Sequence, residues 1–357
     1  MRAFPNLTAL RFFLAFLVVI FHVPMFCSNQ HFPFFDAWAV FHKGNESVKV
    51  FFSLSGFLII GQLYAEKQKS GTIALHSFFV RRMLRIFPLY YLILFFGLFY
   101  YRWLLPTFGF PANDQYNFIE GMLLAIFFMP NSFFLYKPGS IIEILWSIGI
   151  EEQFYLFIAP LFLWLRLKYA VFFLALFSVS YFLIFHLPSF ELLKLYQLFF
   201  FYFSASGLYV VLILKYGFLT RFNTVFKYFL LGVFVLYFTT SWFVNHFHEI
   251  LYEFFSVLLF ALTIAVLASE PIAFLENKIL KYLGKISYGI YMFHCIVIQI
   301  CGFIYLKWVS KTAIPDMAIV ICFNVAVIIG TLVLAHLSYQ YYEKYFLKQK
   351  TKFRKTE

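Results

Sequence analysis

The sequence predicts an all-α polytopic integral membrane protein with about ten transmembrane helices. Of its 357 residues, 63% are hydrophobic and only 12% are charged, whereas about a quarter of the residues in soluble domains are charged. Apolar runs of 17 or more residues recur along the whole chain, and each is long enough to cross a bilayer as a helix. Composition therefore excludes an ordinary soluble domain.

The predicted spans follow these apolar runs in order. They are residues 7–27, 48–64, 84–104, 143–165, 169–187, 195–214, 225–244, 251–268, 286–306 and 315–338. Together they predict one transmembrane domain, residues 1–347, followed by a basic tail, residues 348–357. We interpret the first run as a retained span because it lacks the small-residue cleavage site of a signal peptide.

One apolar segment does not fit the pattern of spans. The segment FIEGMLLAIFFMP at 118–130 has thirteen residues, which is too few to cross the hydrocarbon core as a helix. Counting it as a span would also place Arg166 and Lys168 outside the cell. We therefore predict a re-entrant or interfacial segment here.

The net charge of +12 is explained by membrane topology, without a nucleic-acid partner. With the N-terminus in the cytoplasm, most basic residues fall on the inner side, as the positive-inside rule requires. These are Arg2, Lys67, Lys69, Arg81, Arg82, Arg85, Arg166, Lys168, Lys215, Arg221, Lys227, Lys278, Lys281, Lys285 and those from Lys344 to Lys355. The distribution predicts two cytoplasmic termini and a tail attracted to anionic lipid.

The first span carries two ionisable residues, Arg11 and His22, among apolar ones. Eleven residues at about 100° each bring both side chains to nearly the same helix face, roughly 16 Å apart along the axis. Ionisable groups inside a membrane are costly and usually functional. The alternatives are an arginine that reaches the inner headgroups and a histidine with a structural hydrogen bond.

Two further clusters hold charged residues at or within predicted spans. Arg82 and Arg85 are spaced i, i+3 at the cytoplasmic end of the third span. Paired arginines on one face suit phosphate recognition, but the positive-inside rule alone could also place them there. Pro88, just beyond them, predicts a bend and a cleft. Glu151 and Glu152 interrupt the fourth span, so they either pair with arginines as structural ion pairs or line a cavity.

Weaker candidates surround these clusters. Trp146 and Ser147 lie within two turns of the two glutamates, and Tyr288, Tyr291 and His294 form a polar stripe on the ninth span. Such stripes more often join helices than perform chemistry. The four cysteines, Cys27, Cys295, Cys301 and Cys322, lack metal-type spacing, so we predict buried thiols and no metal site.

Together these segments resemble the acyltransferase-3 family of integral membrane acyltransferases. The likeness is carried by Arg11 followed after ten residues by His22, by VFFSLSGFLI at 50–59, which contains Ser55, by Arg82-Met-Leu-Arg85, by LWSIGIEEQFYL, by LGKISYGIYMFH and by LSYQYYEKYF. The chain departs from the family pattern at Lys49, where an acid is frequent, and at Tyr345, where proline is common.

The resemblance implies transfer of an acetyl or other acyl group from cytoplasmic acetyl-CoA to a hydroxyl of a cell-surface glycan or lipid-linked sugar. It places the reaction at the outer face of a bacterial inner membrane. His22 would be the general base or an acylated nucleophile, Glu151 or Glu152 would orient it or bind the sugar, and Arg11, Arg82 and Arg85 would hold coenzyme A. Ser55, Trp146, Ser147, Tyr288, Tyr291 and His294 would bind substrate or support the site. We expect no esterase-like domain after the last span, and on that expectation a second transfer step would need another protein.

Alternatives stay open for the acceptor and for the class of protein. The family's habits favour a lipopolysaccharide O-antigen sugar, while peptidoglycan, exopolysaccharide and small lipids or antibiotics stay open. A glycan or small-molecule transporter explains the intramembrane charges but not a pair of arginines at the cytoplasmic mouth. A signalling receptor has only the outer loop 28–47 in its favour. The sequence does not determine the oligomeric state.

Overall fold

The computed structural model describes residues 4–217 and 224–353, and within these ranges the chain is helical without β-strands. Arg2, Arg221 and the last four residues of the predicted tail lie outside the described residues. The longer described helices are α1 Leu7–Asn29, α2 Gly44–Ser70, α3 Leu75–Phe99, α4 Phe118–Ile126, α5 Trp146–Trp164, α6 Ala170–Phe185, α7 Phe200–Tyr216, α8 Thr224–Thr239, α9 Glu249–Ser269, α10 Lys278–Lys285, α11 Ser287–Ile304 and α12 Asp316–Ser338.

Shorter helical pieces connect or extend these helices. The short α-helices are Leu105–Thr107, Pro130–Phe133, Ser140–Glu143, Glu191–Leu195, Trp242–His246 and Lys344–Gln349. Single π-helical turns at Tyr100–Leu104, Tyr305–Val309 and Tyr339–Glu343 prolong α3, α11 and α12. Such turns leave the regular i to i−4 ladder for one turn without ending the helix.

The protein is a multi-pass membrane protein, but the predicted count of about ten spans is not confirmed. Among the described residues, seven helices are long and apolar enough to cross a membrane. They are Leu7–Asn29, Gly44–Ser70, Leu75–Thr107, Leu167–Phe185, Glu249–Ser269, Ser287–Val309 and Asp316–Gln349. The pair Pro188–Leu195 and Phe200–Tyr216, bent by 83°, makes an eighth if it is one broken span.

Two of the ten predicted spans, α5 and α8, are not among the helices that are long and apolar enough to cross a membrane. The reason differs between them. Helix α5 is 19 residues long, but Glu151, Glu152 and Gln153 lower its hydropathy. Helix α8 has only 16 described residues, or roughly 24 Å at 1.5 Å per residue, less than the hydrocarbon thickness.

The segment predicted as re-entrant or interfacial is a nine-residue helix, α4, and not a span. Helix α4 begins at the cap Asn117, whose side chain accepts hydrogen bonds from the amides of Ile119 and Glu120. The last carbonyls of a helix lack partners within it. Here the hydroxyls of Tyr90 and Tyr91 on α3 donate to the carbonyls of Ala125, at 2.7 Å, and Ile126, at 3.0 Å. These bonds tie the end of α4 to α3.

The chain divides into two compact units. Unit 1 is drawn from residues 1–21, 36–73 and 154–285, and unit 2 from residues 22–35, 74–153 and 286–357. Two helices cross the boundary in sequence, since α1 continues past residue 21 and α5 past residue 153. His22 therefore belongs to unit 2, while Arg11 belongs to unit 1.

In unit 1, glycines allow α2 and α7 to approach closely. A Cβ atom at Gly56 would lie 2.1 Å from the backbone oxygen of Phe203, and one at Gly207 would lie 2.1 Å from Ile60. The ring of Phe203 stacks on Phe52 at 4.9 Å between centroids. Small residues at such contacts are typical of membrane helix pairs, because van der Waals packing has to hold helices together in lipid.

The start of α1 is anchored within unit 1 by Asn6. Asn6 is buried and has a left-handed backbone, with φ of 61°. Its side-chain amide donates to the carbonyls of Leu267 and Glu270, both at 2.7 Å, and its Oδ1 accepts from the amide of Ile272 at 2.9 Å. One asparagine thus satisfies three backbone groups, one in the last turn of α9 and two just beyond its end, where helical bonding stops.

In unit 2, tyrosines join α11 and the extension of α12 to α3. Tyr288 donates to the carbonyl of Ile86 at 2.9 Å, and Tyr342 donates to that of Pro88 at 3.1 Å. Pro88 has no amide hydrogen, so α3 lacks one backbone hydrogen bond in this stretch. The two tyrosine hydroxyls donate to backbone carbonyls beside this position. An open apolar groove of about 670 Å³ lies next to Pro88, lined by α3 residues from Phe87 to Phe99 and by Tyr342.

Candidate active site

The site in unit 2 is centred on a pair of histidines, His22 on α1 and His294 on α11. Nε2 of His294 lies 3.2 Å from Nδ1 of His22, and the two ring centroids are 4.9 Å apart. His294 is completely buried, with 0% of its surface exposed, whereas His22 is partly exposed. The more accessible histidine is thus the one that the sequence predicted as catalytic.

The other polar residues of the stripe on α11 hold this helix in place. The hydroxyl of Tyr291 donates to the carbonyl of Ile144 at 2.9 Å and lies 2.7 Å from Oγ of Ser147. Both hydroxyls are buried, so each needs a partner. Tyr291 and Ser147 therefore join α11 to the start of α5, and Tyr288 joins α11 to α3. The stripe connects helices, as the structural alternative predicted, and one of its members also contacts His22.

Thiols occupy part of the same region. Sγ of Cys295 lies 3.3 Å from Nε2 of His294. Cys295 and Cys27 are buried as expected, but Cys301 is intermediate and Cys322 is exposed. The prediction of buried thiols therefore holds for two of the four cysteines. Sequence spacing gave no indication that Cys295 would face an imidazole.

The adjacent glutamates of α5 differ in their surroundings. Glu152 is buried, with 6% of its surface exposed, and its Oε1 has no hydrogen-bond partner among the described residues. The charge of Arg82 acts on Glu152. Glu151 is more exposed than Glu152. An ion pair between a glutamate and an arginine was one of the two alternatives from the sequence, and Arg82 is the arginine whose charge acts on Glu152.

Gln153, next to the glutamates, fixes α5 against the segment that follows α4. Its side-chain amide donates to the carbonyl of Phe128 and to Oδ1 of Asn131, both at 2.8 Å. Gly149 lies against the same segment, since a Cβ atom there would be 2.5 Å from Pro130. Asn131, in the short helix Pro130–Phe133, was not singled out from the sequence, because an isolated asparagine between apolar segments carries no signal.

The arginines at the start of α3 contact several groups within unit 2. Arg82 lies over the ring of Phe78, with 5.9 Å from the guanidinium carbon to the ring centroid. The charge of Arg85 acts on Glu343, which also accepts a hydrogen bond from Ser338 at 3.0 Å. Arg81 donates to the carbonyl of Phe353 at 2.9 Å. Glu343 is a further buried acid that the sequence reasoning did not select.

The remaining predicted site residues are placed as follows. Trp146 is buried at the start of α5, with its ring 6.5 Å from that of Phe134. Arg11 lies on α1 and Ser55 on α2, both in unit 1. Unit 2 therefore brings His22, Ser147, Tyr291 and His294 into one chain of contacts, and the charge of Arg82 acts on Glu152.

A helical membrane protein with a partly exposed histidine backed by a buried one has a candidate general base within its membrane domain. The acyltransferase domain that defines the acyltransferase-3 family matches residues 4–336. The chain belongs to this family.

Curated relatives agree with that assignment. The chain is 28% identical over 169 residues to the peptidoglycan O-acetyltransferase OatA of Listeria monocytogenes, covering 46% of this chain and 25% of that protein. It is 29% identical over 166 residues to a protein of Staphylococcus aureus named "Putative O-acetyltransferase", covering 44% and 24%. A Bacillus subtilis protein, YrhL, named "Putative peptidoglycan O-acetyltransferase", is 26% identical over 390 residues, covering 96% and 55%.

The chain thus spans between about a quarter and about half the length of these relatives. No solved structure matches it.

Proposed function

We propose that this protein is a membrane O-acetyltransferase that moves an acetyl group from acetyl-CoA to a hydroxyl of a cell-surface glycan. The family assignment and the O-acetyltransferase names of the relatives support the reaction class. The observation that carries the proposal is the pair of histidines in unit 2, because it places a partly exposed imidazole beside a buried one within the membrane domain. Imidazole is the commonest general base at neutral pH.

The reaction is a balanced transfer of an acyl group. Neutral His22 removes the proton from the acceptor hydroxyl as the oxygen attacks the thioester carbonyl carbon. A C–O bond forms, the C–S bond breaks, and the electrons of that bond go to the coenzyme A thiolate. The proton then passes from His22 to the thiolate, which leaves as the free thiol. In the competing route, His22 attacks the thioester first and an acyl-histidine transfers the acetyl group.

The donor would bind through its phosphates at the cytoplasmic end of α3. Arg82 and Arg85 are spaced so that both side chains project from one face, and guanidinium groups suit bidentate phosphate contacts. Both arginines also have carboxylate neighbours, Glu152 and Glu343. We propose that these carboxylates hold the guanidinium groups in orientation when the donor is absent. Arg11, on α1, stays a sequence-based candidate for the same ligand.

The acceptor is proposed as a surface glycan made outside the cytoplasm, with both termini of the protein on the cytoplasmic side of the inner membrane. The basic residues sort to one side of the predicted spans, which supports that orientation. Two of the relatives named above carry names that specify peptidoglycan, so a peptidoglycan sugar is the first acceptor to test. A lipopolysaccharide O-antigen sugar, predicted from family habits, is the second.

The test is a comparison of O-acetyl groups on both glycans in the native host. Cells with the gene deleted are complemented with wild type, with His22→Ala or with an empty vector, and peptidoglycan and lipopolysaccharide are isolated separately. Base-labile acetyl that appears on one glycan only with wild type supports transfer and names the acceptor. Equal acetylation with His22→Ala would overturn the proposed role of His22, and unchanged acetylation of both glycans on deletion would overturn the acceptor class.

A further inference from the structure

We propose that His294 is a positioning residue that selects the reactive nitrogen of His22. It holds the imidazole of His22 with its hydrogen on Nδ1, so that Nε2 is the nitrogen that takes the proton of the acceptor hydroxyl. The same nitrogen would be the nucleophile if the reaction runs through an acyl-histidine. The inference rests on the proposed function and deepens it by naming the reacting atom.

The first step is the tautomer of His294. Its Nδ1 lies 2.5 Å from the backbone carbonyl oxygen of Tyr291, one turn earlier on α11. A carbonyl oxygen can only accept a hydrogen bond, so Nδ1 of His294 must carry the hydrogen. Because His294 is completely buried, the neutral ring is favoured over the charged one. A neutral imidazole has a single N–H, which makes Nε2 of His294 an acceptor.

The second step transfers this choice to His22. Nδ1 of His22 lies 3.2 Å from Nε2 of His294, and two nitrogen lone pairs facing each other at that distance would repel. A hydrogen on Nδ1 of His22 converts the contact into a hydrogen bond. Neutral His22 then has its lone pair on Nε2. The hydrogen bond from Nδ1 of His294 to the carbonyl of Tyr291 thus determines the tautomer of His22, which lies 272 residues away in the sequence.

The arrangement also favours the charged form that His22 adopts during the reaction. When Nε2 takes up a proton, the Nδ1–H group becomes a stronger donor, and its hydrogen bond to His294 becomes charge-assisted. In serine proteases an aspartate has this role, and replacing it by asparagine lowers kcat by about 10⁴-fold because the wrong tautomer forms. A neutral histidine provides the acceptor without placing a permanent negative charge in the membrane, where unpaired charges are costly.

Cys295 supplies a matched control. Its thiol lies 3.3 Å from the same Nε2 of His294 and competes with His22 for that lone pair only as a weak donor. If His294 acts through His22, then Cys295→Ala should leave the acetylation rate close to that of wild type. A rate loss in Cys295→Ala equal to that in His294→Leu would show that packing around α11, and not the acceptor nitrogen, controls activity.

The kinetic test uses purified full-length protein with acetyl-CoA and the glycan identified above. We expect His294→Leu to lower kcat by about 10- to 100-fold, less than the protease case because a neutral acceptor is weaker, with KM for acetyl-CoA within about threefold of wild type. His294→Gln, which keeps an acceptor oxygen, should recover most of that loss. Wild-type kcat in His294→Leu would overturn the inference.

A spectroscopic test needs no destabilising variant. Protein labelled with ¹⁵N-histidine in lipid nanodiscs reports each tautomer by its nitrogen shifts in solid-state NMR, and the His22 signals are assigned as those absent from His22→Ala. We expect neutral His22 and neutral His294 both to carry hydrogen on Nδ1. An Nε2–H tautomer of neutral His22 would overturn the inference while leaving the proposed function intact. Full activity of His22→Ala would overturn the role of His22 and this inference with it, whereas no acetyl transfer by the wild-type protein would overturn the proposed function.

Discussion

Lys49 of α2 forms an ion pair with Glu253 of α9, with 2.8 Å between Nζ and Oε1. The side chains are 18% and 9% exposed, respectively, and the hydroxyl of Tyr202 donates to the same carboxylate oxygen at 3.1 Å. Lys49 is the position at which the family frequently has an acid. In this chain the lysine at position 49 is balanced by a carboxylate within unit 1, that of Glu253.

Removing Lys49 should destabilise the protein strongly. In Lys49→Met, Glu253 would keep the hydroxyl of Tyr202 and the imidazole of His186, 3.9 Å away. Its buried carboxylate would lose the lysine, at a cost of about 3 to 5 kcal/mol in the free energy of unfolding. Adding Glu253→Gln should recover more than half of the loss. Unfolding followed in mixed micelles measures both changes.

The control for Lys49 is an exposed pair in the same unit. Lys194 and Glu249 lie 3.5 Å apart with 38% and 74% of their side chains exposed, so Lys194→Met should change the free energy of unfolding by less than about 1 kcal/mol. Equal effects of Lys49→Met and Lys194→Met would show that the buried ion pair does not contribute as argued.

Gly56 should not tolerate even a methyl group. In Gly56→Ala the new Cβ would meet the backbone oxygen of Phe203 at 2.1 Å, so α2 and α7 would have to separate and lose packing, at about 1 to 3 kcal/mol. Gly232 on α8 has nothing within 4 Å of a Cβ atom, and Gly232→Ala should be neutral or stabilising by up to about 1 kcal/mol. Thermal unfolding in detergent compares the two variants, and a Gly56→Ala protein as stable as Gly232→Ala would contradict the contact.

Asn6 should be important for stability through its side chain. Asn6→Gly keeps the left-handed backbone available but removes the bonds to the carbonyls of Leu267 and Glu270 and to the amide of Ile272. We expect a loss of about 1 to 3 kcal/mol in the free energy of unfolding. Asn6→Asp, which keeps only the acceptor, should also destabilise. Stability equal to wild type in both variants would rule out this anchor.

Arg82 can be assigned to the donor, to Glu152, or to both by a double-mutant cycle. If Arg82 binds coenzyme A phosphate, Arg82→Ala should raise KM for acetyl-CoA by more than about tenfold, since a charge-assisted hydrogen bond contributes about 1.5 to 3 kcal/mol. Arg82→Ala should also lower the free energy of unfolding, because it leaves the buried carboxylate of Glu152 without the charge of Arg82. Adding Glu152→Gln removes that carboxylate, so it should restore stability but leave KM for acetyl-CoA high. Restoration of KM by Glu152→Gln would mean that Arg82 only pairs with Glu152.

Much of the fold and part of the site could be read from the sequence. Hydropathy located a helix for every predicted span, and the spacing of Arg11 and His22 placed both on one continuous helix, α1. The count of about ten spans is not confirmed, because apolar content alone does not separate a crossing helix from one that is short, like α8, or polar, like α5. The bend of 83° before α7 likewise has no periodic signal.

The contacts of the site could not be predicted, because they join residues far apart in the chain. His22 and His294 are 272 residues apart, and a polar stripe on one helix does not say which partner it meets. The role of Glu152 was left between an ion pair and a cavity, since the sequence gives no burial and no neighbour. Cys295 was expected only to be buried, and its position beside His294 depends on how α11 is rotated.

Transfer of radiolabelled acetyl from acetyl-CoA to isolated glycan by wild type and His22→Ala tests the proposed chemistry most directly. Both proteins are purified in lipid nanodiscs, and His22→Ala is used only if it unfolds at the same temperature as wild type. We predict base-labile label on the glycan with wild type and none above background with His22→Ala. Label transferred at the wild-type rate by His22→Ala would contradict the assignment of His22 as the reacting residue.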